Sequence, residues 1–272
     1  GREGGSEVLF GVHKWIIPCN WKFAAENFLG DTYHNVSHRS VDLIGIGPSA
    51  EAGVKGRRDN EMEKAQHVWA NFPAGHGVHS AIMPQDWEFL NTYQNNPVVA
   101  EYFREAHVKR KERLGAERHR LIPFVGTIWP NTSFHGNQPR NLCVWHPHGP
   151  ESTEAWRFFL VDADAPQEVK DFLRIYYMRY SGPAGMTEQD DMENWNYATA
   201  GSRGVIARRY PFNYQQSLGK VSTDAPVPGN VSVQVSEENP RQFYRRWRDY
   251  MNGADWDTLL GRKDKEPASF AA

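Results

Sequence analysis

Between residues 121 and 161 the chain alternates strand-like runs with short breaks, and this pattern limits the fold more than any other feature of the sequence. The runs cover residues 121–129, 131–134, 141–145 and 155–161, and stretches rich in Gly and Pro separate them. Breaks this short join neighbouring antiparallel strands, whereas parallel strands need a longer crossover. The sequence therefore predicts an antiparallel meander.

Helical patterns flank these strands. A capping residue and a proline begin a helix over residues 96–115, and further helices are predicted from Asp164, from Thr187 and from Asn239. Runs of strands are followed by runs of helices, without the regular alternation of a doubly wound fold. The order favours the α+β class.

The segment 20–40 carries four polar side chains at helical spacing. In a helix, Asn27, Asp31, His34 and His38 would share one face, because they follow one another at intervals of four, three and four residues. Two imidazoles at this spacing can bind one metal ion, although paired histidines also occur on solvated helix faces. The sequence therefore offers a candidate metal site.

The surrounding residues narrow the choice of metal chemistry. Zinc proteases with two histidines at this spacing need a Glu directly after the first, and Asn35 stands there instead. Zinc hydrolysis remains as a weakened alternative. Further along, Thr187 and Asp190 resemble a capping box, so that Asp191, about 100° away around the helix, is free to act as an anionic ligand. Two histidines and one carboxylate form the facial triad of non-haem Fe(II) oxygenases.

Composition excludes other classes of function. The 272 residues carry 31 basic and 33 acidic side chains, so the net charge of −2 gives no case for binding nucleic acid or an anionic membrane. The two cysteines, Cys19 and Cys143, form no C-x-x-C pair, which argues against a disulfide scaffold or a cysteine-ligated cluster. Without a signal peptide or a membrane-length apolar run, the expected location is a reducing cytoplasm.

Several stretches together resemble one protein family. The segment 19–34 is similar to the iron-binding segment of the large (α) subunit of Rieske-type aromatic-ring-hydroxylating dioxygenases, the biphenyl, toluene and naphthalene dioxygenase group. The segments 144–150, 161–166 and 188–195 are similar to later stretches of the same subunits, in the same order. The resemblance therefore covers nearly the whole chain.

The resemblance implies a fold and a set of site residues. The fold is a curved antiparallel sheet wrapped by helices around an apolar cavity, of the helix-grip or Bet v 1-like kind. His34, His38 and Asp191 would ligate a mononuclear Fe(II) ion, and Asp31 would hydrogen-bond a ligand histidine and relay electrons. The positions that line the iron and substrate pocket are Asn27, Phe28 and Thr187; since Thr187 replaces a large aromatic residue, we expect a wide pocket.

The resemblance also implies a reaction and its partners. A bacterial, cytoplasmic dioxygenase of this group adds both atoms of O₂ to an aromatic hydrocarbon and gives a cis-dihydrodiol. Electrons come from NADH through a reductase, a ferredoxin and a Rieske 2Fe–2S cluster, and the assembly is an α3 or α3β3 oligomer with a small β subunit. A Rieske monooxygenase or demethylase, or a metal-free helix-grip domain that binds an apolar ligand, are the alternatives.

The sequence departs from the family in two respects. Three residues separate His34 from His38, whereas the family usually has four or five. No C-x-H and C-x-x-H pair is present to hold a Rieske cluster. We therefore expect residues 1–272 to be a catalytic-domain fragment that lacks the upstream Rieske domain and is inactive without it. In this interpretation residues 1–7 are a linker remnant and residues 263–272 a tail, whereas residues 41–64 are either a mobile loop that closes over the site or a plain surface loop.

Overall fold

The computed structural model describes residues 3–31, 33–45, 65–85, 93, 95–222, 225, 227–233 and 235–259. Most of the predicted loop over 41–64 and the whole predicted tail over 263–272 lie outside these residues. Part of the predicted linker over residues 1–7 belongs to the sheet, because Ser6 pairs with Asp162 and Glu7 pairs with Val161.

The described part of the chain contains ten strands and seven α-helices. The strands are β1 Ser6–Val8, β2 His13–Ile17, β3 Gln66–Asn71, β4 Gly77–Ile82, β5 Leu121–Ile128, β6 Thr132–His135, β7 Asn141–Pro147, β8 Thr153–Asp162, β9 Val221–Ser222 and β10 Asn230–Ser232. The helices are α1 Trp21–Asn27, α2 Arg39–Ile44, α3 Pro97–Arg118, α4 Gln167–Tyr180, α5 Met186–Ser202, α6 Glu238–Met251 and α7 Trp256–Leu259. None of these described helices is long and apolar enough to cross a bilayer.

All the strands join one antiparallel sheet. Its order is β1-β8-β7-β6-β5-β4-β3-β10-β9, and β2 pairs with β8 beside β1. The neighbours β5, β6, β7 and β8 are consecutive in the chain. The predicted meander and the α+β class are therefore confirmed.

The core consists of two clusters of buried side chains. One combines residues of α1, α5 and α6 with residues of β7 and β8, among them Phe28, Trp145 and Trp195. The other joins α3 and α4 to the far end of β8 through Val99 and Tyr177. Helices α1 and α5 both pack into the first cluster, and the candidate ligands lie on α5 and on the segment that follows α1.

Candidate metal centre

The histidine-bearing segment is not one helix. Helix α1 ends at Asn27, Gly30 adopts a φ of 110°, and a 3-10 helix follows over Tyr33–His38. The Gly30 carbonyl accepts a hydrogen bond from Nε1 of Trp69 at 2.6 Å, and a Cβ at position 30 would lie 2.7 Å from that same nitrogen. The prediction of a continuous polar stripe along a helix over 20–40 is therefore wrong, because this close approach turns the chain away from helical geometry.

The structure nevertheless brings the three predicted ligands together. The Nε2 atoms of His34 and His38 lie 3.2 Å apart. Asp191 Oδ1 lies 3.3 Å from Nε2 of His34 and 3.1 Å from Nε2 of His38. Within the described residues, this is the one group of at least three His, Cys, Asp or Glu side chains close enough to hold a metal ion.

The arrangement fits a metal ion better than it fits hydrogen bonding alone. Asp191 Oδ1 is buried and makes no hydrogen bond of acceptable geometry with any described residue, although both imidazoles are close to it. An unpaired buried carboxylate oxygen is costly. A cation shared by the three atoms would remove that cost.

The distances support the same conclusion. Bonds of about 2.1 Å from one ion to nitrogen and oxygen ligands place adjacent ligand atoms about 3.0 Å apart in octahedral geometry and about 3.4 Å apart in tetrahedral geometry. The observed separations of 3.1, 3.2 and 3.3 Å fall between these values. The three ligand atoms can therefore reach a common ion without rearrangement of the backbone.

The charges around the site are strongly coupled. Burial by itself would lower the pKa of His34, but its contacts with Asp191 and Asp31 outweigh this effect and raise the pKa to about 10. Burial would raise the pKa of Asp191, but both histidines hold it well below its usual range. Without a metal ion, the site therefore contains a carboxylate and a protonated His34.

Each histidine has a carboxylate beside its other ring nitrogen. Asp31 Oδ1 lies 3.4 Å from Nδ1 of His34, and Asp190 Oδ2 lies 3.2 Å from Nδ1 of His38. The prediction that Asp190 caps its helix is wrong, because α5 begins at Met186 and its N-cap makes no side-chain hydrogen bond. Sequence reasoning missed the contact of Asp190 with His38; the available signal was the pair of adjacent carboxylates at 190 and 191.

A buried ion pair fixes the helix that supplies Asp191. The guanidinium of Arg157 on β8 makes two hydrogen bonds to the carboxylate of Glu188, one turn before Asp191 on α5. Their side chains are 0% and 3% exposed. Sequence reasoning missed this pair; its signal was a charged residue at a position where the alternation of β8 places buried side chains such as Phe159.

The three predicted pocket residues make the following contacts in the structure. Asn27 Oδ1 accepts a hydrogen bond from Nε1 of Trp195 at 3.2 Å. Phe28 is buried, with its ring 5.2 Å from that of His135, and burial together with a nearby Arg lowers the pKa of His135 to about 3. Thr187 is also buried, and its hydroxyl has no hydrogen-bond partner among the described residues.

Sequence comparison identifies related proteins. The profile of the family described as "Ring hydroxylating alpha subunit (catalytic domain)" matches residues 7–253. The biphenyl 2,3-dioxygenase α subunit of Rhodococcus jostii (strain RHA1) is 38% identical over 273 residues, which cover 94% of this chain and 55% of that protein. The benzene 1,2-dioxygenase α subunit of Pseudomonas putida is 37% identical over 266 residues, which cover 94% of this chain and 57% of that protein.

Structural comparison gives the same relationship. A naphthalene 1,2-dioxygenase variant bound to phenanthrene superposes with a TM-score of 0.77 at 25% identity, over 95% of this chain and 58% of that one. Naphthalene 1,2-dioxygenase from a Rhodococcus species, bound to indole, superposes with a TM-score of 0.69 at 28% identity, over 92% of this chain and 57% of that one. In both comparisons the chain spans just over half the length of its relative.

Proposed function

This chain belongs to the family of catalytic domains of ring-hydroxylating α subunits, and on that basis we propose that it is the domain in which an aromatic hydrocarbon is converted to a cis-dihydrodiol. The reaction consumes the arene, O₂, two electrons and two protons, and both oxygen atoms end on adjacent ring carbons. The observation that carries the proposal is the triangle formed by His34, His38 and Asp191, with edges of 3.1 to 3.3 Å.

The residues of this chain have distinct roles in the proposed reaction. His34, His38 and Asp191 hold mononuclear Fe(II), and the bound iron supplies the binding and activation of O₂. Asp31 keeps the ring of His34 in place and, by family resemblance, lies on the path of electrons from a Rieske 2Fe–2S cluster in a neighbouring subunit. The hydrocarbon binds beside the iron, against Asn27 and Phe28.

The electron supply and the assembly come from outside the residues described. We propose that electrons pass from NADH through a reductase and a ferredoxin to the Rieske cluster, and that the α subunits assemble as α3 or, with a small β subunit, as α3β3. A cytoplasmic location in a bacterium stays a prediction; the relatives named above are bacterial proteins.

The proposed substrate is a polycyclic or substituted arene. Thr187 is small at a position where the family usually has a large aromatic side chain, so the pocket should be wide. In the intact enzyme, Thr187→Phe should lower the rate with a polycyclic arene much more than the rate with benzene, because the added ring takes up space near the iron. Equal losses with both substrates would contradict the assignment of Thr187 to the pocket.

Iron analysis tests the metal-dependent part of the proposal. Protein purified without oxygen and supplied with Fe(II) should retain about one iron per chain after desalting, and His34→Ala should retain almost none. His148→Ala is the matched control, because its ring is 53% exposed and lies beside Glu154 on the surface. If His34→Ala retained as much iron as the control, the site would be wrong; if the unaltered protein bound an apolar ligand but no iron, the metal-free alternative would replace it.

Product analysis separates the remaining alternative. Dihydrodiols from the intact enzyme support a dioxygenase, whereas phenols or released formaldehyde would identify a monooxygenase or a demethylase. The names of the relatives above, all dioxygenase subunits, favour the first result.

A further inference from the structure

The ring of His38 lies between two consecutive residues of α5. Asp191 Oδ1 is 3.1 Å from its Nε2, and Asp190 Oδ2 is 3.2 Å from its Nδ1. The His38 side chain is only 3% exposed, and that of Asp190 is 23% exposed. Both ring nitrogens of a buried imidazole therefore face carboxylates from the same helix.

The two contacts differ in chemistry. Nε2 faces the ligand triangle, where it must be unprotonated to bind a metal ion. A neutral imidazole then carries its proton on Nδ1, and a carboxylate that accepts this proton fixes both the tautomer and the orientation of the ring. Asp190 is in position to accept it, because its oxygen is within hydrogen-bonding distance of Nδ1.

His38 lies at the junction of two helical segments, and contacts from α5 support it there. It is the last residue of the 3-10 helix and the N-cap of α2, with a φ of −88° and a ψ of 16°, and its side chain makes no capping hydrogen bond. Helix α5 supplies the missing support, since Asn194 Nδ2 also donates to Ser37 Oγ at 3.0 Å, next to His38. The helix therefore positions the residue from outside the segment.

We propose that Asp190 is a positioning residue for the metal centre, which holds His38 with Nε2 directed at the ion. The inference rests on the proposed function, because it needs His38 to be a ligand. It adds that the two histidines have separate carboxylates beside them: Asp190 Oδ2 is within hydrogen-bonding distance of Nδ1 of His38, and Asp31 Oδ1 lies 3.4 Å from Nδ1 of His34 without a hydrogen bond of acceptable geometry. Loss of one should leave the other ring in place.

The test measures metal affinity and fold stability together. The dissociation constant for Co(II), used as an oxygen-stable probe, is measured at pH 7 for the unaltered protein, Asp190→Asn and Asp31→Asn. The matched control is Glu193→Gln, which removes one negative charge from an exposed position on the same helix. Urea unfolding of each metal-free protein shows whether the fold is retained.

The expected result is a selective loss of metal affinity. Asp190→Asn should bind Co(II) about 10- to 100-fold more weakly, as is usual for the loss of a carboxylate behind a ligand histidine. Glu193→Gln should stay within about twofold of the unaltered protein, and Asp190→Asn should unfold at nearly the same urea concentration, because the Asp190 side chain is partly exposed. The double variant of Asp31 and Asp190 should show the product of the two single losses.

A spectroscopic measurement separates orientation from simple loss of charge. In the Zn(II)-loaded protein, long-range proton–nitrogen NMR spectra should show His38 in one tautomer, with the proton on Nδ1. In Asp190→Asn the same signals should broaden or shift, while those of His34 remain. Asp190→Glu, which keeps the carboxylate, should recover part of the affinity.

The outcomes distinguish this inference from the proposed function. If Asp190→Asn binds Co(II) as tightly as Glu193→Gln while His38→Ala binds none, Asp190 does not position the ligand and the metal centre stands. If His34→Ala and His38→Ala bind as well as the unaltered protein, the proposed function fails instead. Should Asp190→Asn not fold, Asp190→Ser takes its place, and unchanged affinity in that variant overturns the inference equally.

Discussion

Asp191 Oδ1 lies 3.1 Å from Nε2 of His38. This contact joins α5 to a 3-10 helix that stands near the other end of the chain. The segment that carries the histidines is not one regular helix, since α1 stops at Asn27 and the polypeptide turns at Gly30. The site therefore depends on how α5 is held against the histidine-bearing segment.

The protonation of His34 predicts how metal binding depends on pH. Without metal, the contacts with Asp191 and Asp31 raise the pKa of His34 to about 10, so an incoming ion must displace a proton at neutral pH. The dissociation constant for Co(II) should then fall by up to about tenfold per pH unit between about pH 6 and 8. Asp191→Asn should bind more weakly and with a flatter pH profile.

The raised pKa of His34 also predicts how the stability of the metal-free protein changes with pH. Since the pKa of His34 is raised from 6.5 to about 10, its proton contributes stability that is fully present below about pH 6.5 and is lost as the pH approaches 10. Urea midpoints of the metal-free protein should decline over this range more steeply than those of His34→Ala. Parallel declines, or a pH-independent dissociation constant for Co(II), would contradict the assignment.

The buried ion pair between Arg157 and Glu188 predicts a large loss of stability when it is broken on one side. Glu188→Gln leaves a guanidinium buried without its anion, and we expect the free energy of unfolding to fall by about 3–5 kcal/mol. The double variant Arg157→Met with Glu188→Leu should lose less, because no uncompensated charge remains. Urea unfolding measures both.

A surface ion pair supplies the control for that experiment. Arg203 and Glu151 are 59% and 49% exposed, so Arg203→Gln should cost less than about 1 kcal/mol. If Arg157→Met with Glu188→Leu lost as much stability as Glu188→Gln alone, an uncompensated buried charge would not explain the loss, contrary to this prediction.

The backbone conformation and close contacts of Gly30 predict that any side chain at this position destabilises the fold. With a φ of 110° and a Cβ that would lie 2.7 Å from Trp69 Nε1 and 2.8 Å from His79 Cβ, Gly30→Ala should lower the free energy of unfolding by more than about 2 kcal/mol. Metal affinity should fall as well, because Asp31 follows directly. Gly201→Ala, with no atom within 4 Å of the new methyl group in α5, should stabilise by about 0.5–1 kcal/mol. Similar effects at the two positions would contradict the packing described.

A half-buried carboxyl group near Asp31 predicts a second pH effect. Glu26 Oε2 accepts hydrogen bonds from the hydroxyl groups of Tyr214 at 2.8 Å and Tyr244 at 2.6 Å. Burial, and to a smaller degree the charges of Asp31 and Glu237, raise its pKa from 4.5 to about 7. Protonated Glu26 therefore contributes stability that is fully present below about pH 4.5 and is lost as the pH rises to about 7.

Replacement of Glu26 should remove this dependence. Glu26→Gln cannot ionise, so its free energy of unfolding should fall less between pH 5 and pH 7.5 than that of the unaltered protein, in the same metal state. Glu193→Gln, on an exposed surface, should keep the original slope. Identical slopes in all three proteins would show that Glu26 is ionised throughout.

The sequence predicted the strands and most helices because their signals are local. Alternation and short breaks fixed the meander between 121 and 161, and Asn96 accepts a hydrogen bond from the Val99 amide at 3.2 Å, as its capping position predicted. The prediction of a helix over 20–40 was wrong because the interruption at Gly30 depends on Trp69, a residue of strand β3. Spacing within a segment carries no information about such a neighbour.

For the candidate site, the sequence by itself determined the chemical identity of the groups: two imidazoles close together in the chain and a carboxylate on a later helix. Only the tertiary structure decided which carboxylate faces which ring nitrogen of His38. Asp190 and Asp191 are equivalent by composition, but helix geometry turns them about 100° apart, so that one faces Nδ1 and the other Nε2 of the same ring. That choice depends on how α5 is rotated against the sheet, and the buried pair of Arg157 and Glu188, distant in sequence from the histidines, fixes this rotation.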